Sequence, residues 1–153
     1  MHKIIATVFA VIFFASLNAA ISAEEMMRHG NHQHETSVAD TRISLELSAK
    51  MKQHQLSNMR GHVEAIKNIT GLMAESKFEE ASKVAHSQLS LTPEMQSMCG
   101  MFGNENFRKL GYAFHKSGDD LGDVLKTKNI NKSLRALNKT MQYCVECHAT
   151  FRQ

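Results

Sequence analysis

Apolar residues along most of this chain recur at steps of three and four, the spacing that stacks side chains on one side of an α-helix. From about Thr41 to Ala74 the recurring positions are Leu56, Met59, Val63, Ile66, Thr70 and Met73, which read as the seam of a packed helix. Ser76 has Glu79 three residues on, the form of a capping box, and opens a second helix with Phe78, Ala81, Ala85 and Leu89 facing inward. Leu91, Thr92 and Pro93 mark its end. Residues 92–103 read as a Met-rich connection holding Met95, Met98, Cys99 and Met101, broken by Gly100 and Gly103. A third helix from about Asn104 carries Phe107, Leu110, Phe114, Leu121, Val124 and Leu125 on one face, and Gly118 and Gly122 weaken it locally. Asn129 or Asn131 caps a fourth. Its seam runs Leu134, Leu137, Met141, Cys144, His148 and Phe151. Strand signals are weak, so the pattern predicts an all-α domain over 41–153, an antiparallel four-helix bundle.

The first residues follow another logic. His2 and Lys3 precede an almost wholly apolar run from Ile4 to Leu17, followed by the small residues Ala19, Ala20, Ser22 and Ala23. This is the order of a secretory signal, expected to cover 1–23 with cleavage after Ala23, and it predicts a periplasmic protein. The run falls short of the roughly 20 apolar residues of a membrane span. Residues 24–40 read as a disordered tail in which His29, His32 and His34 offer a Cu or Zn site, or are simply solvated.

Composition narrows the function classes. A length of 153 residues favours one folded domain, and a net charge of +3 without a basic cluster argues against nucleic-acid binding. No paired base and nucleophile stands out, so no enzyme is predicted. Three cysteines in an exported chain allow one disulfide and a leftover thiol.

The run Cys144-Val145-Glu146-Cys147-His148 offers a different use for two of them. Thiols three residues apart lie near one another on a helical turn and can form thioethers to the two vinyl groups of one haem. The adjacent imidazole then serves as proximal iron ligand. A thioredoxin-like dithiol wants a strand–helix setting, and a structural zinc site wants further Cys or His ligands nearby. The motif predicts one covalent haem c. Only Ala149 to Gln153 follow it, so a sixth iron ligand is expected from upstream.

The ending Cys144-x-x-Cys147-His148-x-x-Phe151-Arg152 on a helical chain resembles that of the class II cytochromes c, the cytochrome c prime family. The resemblance implies Cys144 and Cys147 as haem attachment points, His148 as proximal ligand and Arg152 beside it. Arg152 follows His148 by four residues, which on a continuous helix shares its face. The family takes its distal residue from the first helix, apolar in five-coordinate members and Met in six-coordinate ones. Met51, His54, Leu56, Met59 and His62 are the candidates. Counting back from Gly71 reaches Leu56 and counting back from Phe78 reaches Met59. Met59 is preferred as a stable thioether ligand for electron transfer. Cys99 reads as a buried thiol among methionines, with a soft Cu(I) site as the rival.

These readings imply a periplasmic one-electron carrier served by redox partner proteins and haem-attachment machinery. The alternative is a five-coordinate haem protein binding NO or CO over Leu56. The family's frequent pairing through its first two helices allows a homodimer by analogy.

Overall fold

The structure of the protein, a computed structural model, describes residues 39–153. The leader expected at 1–23 and all but the last two residues of the tail expected at 24–40 lie outside the described residues. What is described is all-α apart from one pair of two-residue strands. The order is β1 (Ile43–Ser44), α1 (Ala49–Ala74), α2 (Phe78–Gln88), α3 (Pro93–Gly100), α4 (Glu105–Lys126), α5 (Ile130–Thr150) and β2 (Phe151–Arg152).

Four of the five helices begin on a side-chain oxygen that accepts an otherwise unpaired N–H of the first turn. Ser48 accepts from Met51, Thr92 from Met95, Asn104 from Phe107 and Asn129 from Lys132. Of the two asparagines that could start α5, Asn129 is the cap. Ser76 is not a cap. It sits at a φ of 59°, and the neighbouring N–H groups close α1 from behind, Ser76 to the Met73 carbonyl and Lys77 to that of Leu72. The Met-rich connection is also corrected: Thr92 and Pro93 start an additional helix, α3, where the sequence suggested irregular chain.

The first helix starts at Ala49, not near Thr41. The residues before it are drawn to the far end of the chain. Ile43 and Ser44 pair in parallel with Phe151 and Arg152, and the Leu45 N–H donates to the Arg152 carbonyl at 3.0 Å. Leu45 and Leu47 then pack on Phe102, Phe107 and Phe151. Phe151 is therefore a strand residue, beyond the helix it was expected to finish.

Two helical seams are rotated from their expected positions. On α1 the buried residues are Gln55, Ala65, Ile69 and Met73, whereas Val63 is 71 % exposed and Thr70 is also exposed. On α5 they are Ser133, Leu137 and Thr140, whereas Leu134 and Met141 are exposed. In both helices a small or polar side chain occupies the contact. Thr140 shows why: its hydroxyl donates to the Ser117 carbonyl on α4 at 3.2 Å.

The main core joins α1, α2, α4 and α5 through residues such as Ile69, Leu89, Phe114, Leu121 and Leu137. α1 packs on α2, α2 on α4, and α4 on both α3 and α5, but α1 and α5 make no extensive contact with each other. The tightest approach is α2 to α4. A Cβ at Gly118 would fall inside contact with the Leu89 carbonyl, and one at Gly122 would lie 2.5 Å from His86 Nε2. The Ser82 hydroxyl donates to the Gly122 carbonyl at 2.7 Å across the same contact. These glycines, which weaken α4 as an isolated helix, let it lie against α2.

Gly118→Ala is expected to cost about 1–3 kcal/mol through overpacking. Gly61→Ala, where an added methyl meets nothing within 4 Å, should stabilise by about 0.5–1 kcal/mol. Urea midpoints of the two variants, which should move in opposite directions, check this.

Candidate functional site

Because α1 and α5 do not close on each other, a cavity of about 440 Å³ lies between them, with α4 as its floor and α3 along one side. This is within the range of about 300–1,000 Å³ typical of small-molecule and cofactor sites. Phe107, Leu110 and Phe114 of α4 make its floor, and Met95, Met98 and Cys99 reach it from α3. The lining is overwhelmingly apolar. At the rim Val63 is 71 % and Val145 69 % exposed, with Met141 also exposed. The cavity thus has an apolar rim on both the α1 and the α5 side.

The wall contributed by α5 holds the Cys144–His148 run. Cys144 and Cys147 are half-buried free thiols in that wall, and His148 lies more exposed at its edge. Burial pushes the Cys147 thiol up to about 11, with Cys144 and Glu146 adding to the effect, and it raises Cys144 too. A dithiol built for redox exchange needs the opposite, a thiol acidified by a helix N-terminus or a cation. Here both sit in the last turns of a helix. Among the described residues no three His, Cys, Asp or Glu side chains come together as a metal-ion site. The set at this wall is two thiols and one imidazole beside an apolar cavity, which fits a large apolar group carrying its own metal.

From α1, Gln55, Met59, His62 and Val63 face the cavity. Met59 also borders a shallower groove on the outer side of the helix, the groove to which Leu56 belongs. Leu56 is thus absent from the cavity wall, and of the two register counts the one ending at Met59 meets the cavity. Met51 packs beside the Phe102–Phe107–Phe151 cluster, and His54 is exposed. Arg152 does not share a helical face with His148, because α5 ends at Thr150. Its Nε lies 3.9 Å from an Asp40 carboxylate oxygen.

Sequence reasoning missed two polar residues of the cavity. Gln55 is buried on the α1 face and makes no side-chain hydrogen bond among the described residues. His115, which reads as an ordinary helix residue, is 5 % exposed. Its Nδ1–H donates to the Leu89 carbonyl at 2.9 Å, which leaves Nε2 as the lone-pair nitrogen. His62 stands beside it, ring centres 5.3 Å apart, and 4.8 Å from Phe114. Burial, with a smaller contribution from His115, pulls His62 down from 6.5 to about 4, so the imidazole is neutral near pH 7. Burial likewise lowers His115 and raises the Cys99 thiol. His62 is among the distal candidates read from the sequence; its placement against Phe114 and His115 is what the sequence did not show.

Comparison with known proteins returns no matching family model, curated protein or solved structure.

Behind the motif, Asp40 bonds Arg42 through Nε at 2.9 Å and Nη2 at 2.8 Å, and Arg42 Nη1 donates to the His148 carbonyl at 3.3 Å. The Arg42 hydrogen bonds, side chain then backbone, hold Asp40 at about 2 against an ordinary 3.8. Since the ionised form is the paired one, the clamp is complete above about pH 3.8 and is lost as pH falls through about 2. Carboxyl NMR should find the Asp40 midpoint near 2, returning toward 3.8 in Arg42→Gln. An ordinary midpoint in the unsubstituted protein would show that the clamp does not form.

Proposed function

We propose that this chain is a haem c protein of the class II cytochrome type, acting as a periplasmic one-electron carrier. The observation that carries the reading is the coincidence of the Cys144-x-x-Cys147-His148 run with one wall of an apolar cavity open between α1 and α5. In this reading α1, α2, α4 and α5 form an antiparallel four-helix bundle, α3 belongs to the connection within it, and the bound group fills the gap between α1 and α5.

Cys144 and Cys147 would each add across one vinyl group, sulfur to one carbon and the thiol proton to the other, so attachment needs no oxidant. His148 would present its imidazole to the iron from the same turn. The bound haem supplies the one-electron couple of its iron, ferric to ferrous. The protein's part is to hold and shield it. Phe107, Leu110 and Phe114 exclude water from one side, which limits reorganisation and tunes the potential through burial. Val145 and Met141, exposed beside the motif, offer an apolar contact through which a redox partner protein reaches the site. Haem-attachment machinery is the other partner the chemistry calls for.

An electron carrier is favoured over a protein that binds NO or CO at an open iron. The α1 wall carries two side chains of the types that commonly ligate haem iron, Met59 and His62, while Leu56 faces the outer groove. Either donor would occupy the position a gas needs.

Expression of the full chain together with cytochrome c maturation machinery tests the reading. Haem should stay with the polypeptide through a denaturing gel, and the alkaline pyridine spectrum should show two thioethers. Cys144→Ala or Cys147→Ala alone should give the spectrum of a single thioether, and the double variant should release its haem on the gel. A wild-type chain that never retains haem would overturn the proposal.

A further inference from the structure

Resting on the haem reading above, we infer that His62, and not Met59, closes the side of the iron opposite His148, giving a site with imidazole nitrogen on both faces. The first ground is position. Gln55, Met59 and His62 follow one another at steps of four and three, so all three share the face of α1 that borders the cavity. Met59 is the outer member of the three, shared with the groove that holds Leu56, Arg60 and Lys67. His62 stands against the ring of Phe114 on the cavity floor, with centroids 4.8 Å apart.

The second ground is unmet bonding capacity. His62 is half-buried in the cavity wall and makes no hydrogen bond among the described residues. An imidazole nitrogen beside the cavity with no hydrogen-bond partner keeps its lone pair available to iron. His115 is a poorer candidate. Its Nε2 is free, but it belongs to α4, the cavity floor, and not to the wall that faces α5. Gln55 supplies only an amide, a weak ligand for haem iron.

The third ground is the state of the nitrogen. Only the neutral ring can bind a metal, and imidazole is a ligand well suited to iron. The groups facing His62 keep it neutral. They are Phe114 and His115 from α4, with burial the largest influence and the proximity of His115 acting in the same direction. No carboxylate is among the residues lining this cavity.

The experiment compares wild type, His62→Ala and Met59→Leu, each produced as the full chain with covalent haem verified by the pyridine spectrum. Wild type should be low-spin in both oxidation states and should lack the far-red charge-transfer band of a thioether on ferric iron. Its near-infrared magnetic circular dichroism should be that of two nitrogen ligands. Met59→Leu should leave these spectra unchanged. His62→Ala should become high-spin and bind CO roughly tenfold or more tightly, because an internal ligand reduces apparent affinity by the fraction of open iron. Added imidazole should restore its low-spin spectrum, which also shows that the variant is folded.

A thioether band lost in Met59→Leu would overturn the inference in favour of Met59. A high-spin wild type unchanged by His62→Ala would overturn it in favour of an open iron. Neither result would disturb the covalent-haem reading, whereas failure to retain haem at all would remove both.

Discussion

The structure turns on the approach of α2 to α4 at Gly118 and Gly122. With no Cβ at either position, the Leu89 carbonyl and the His86 ring come directly onto the α4 backbone. That contact anchors α2 on one part of α4 while α5 packs on another, through Thr140 and Leu137. α1 follows α2 through Ala65, Ile69 and Met73. The two outer helices are thereby committed to their own neighbours, and the space between them stays open. The cavity is a consequence of where the close contacts lie.

The chemistry is arranged around that opening. α5 brings two thiols and an imidazole to one wall, and α1 brings a thioether, an imidazole and a buried amide to the other. The last turns of α5 are held from outside the helix. The β1–β2 pair ties Phe151 and Arg152 to the segment before α1, and Arg42 reaches the His148 carbonyl. A motif at the end of a helix would otherwise fray, since the last carbonyls of a helix have no partners within it. Phe151 packs on Phe107 with ring centres 5.4 Å apart, so the same tether joins the motif to the cavity floor.

Much of this is legible in the sequence, and what is not has identifiable physical causes. The four longer helices follow from their apolar period, and α4 from its start at Asn104 to its buried Phe107, Phe114, Leu121 and Leu125. Periodicity fails where packing is made by small or polar residues. Ser133, Thr140 and Gln55 are buried, yet hydrophobicity alone ranks Leu134, Met141 and Val63 above them. Apolar residues in these helices serve two surfaces, the packed core and the open cavity, and a one-dimensional pattern does not separate them. The β1–β2 pair is hidden for another reason: its partners lie at opposite ends of the described chain. His62 is one of five distal candidates in the sequence and His115 draws no notice there, because what sets them apart is their being neighbours across α1 and α4.

The central claim is that the opening between α1 and α5 holds a haem attached at Cys144 and Cys147. Diffraction from the purified full chain, collected above and below the iron absorption edge, tests it most directly. The account predicts one anomalous iron peak per chain between the two helices, next to His148, with continuous density to both cysteine sulfurs. No iron there, or Cys144 and Cys147 joined to each other, would contradict it.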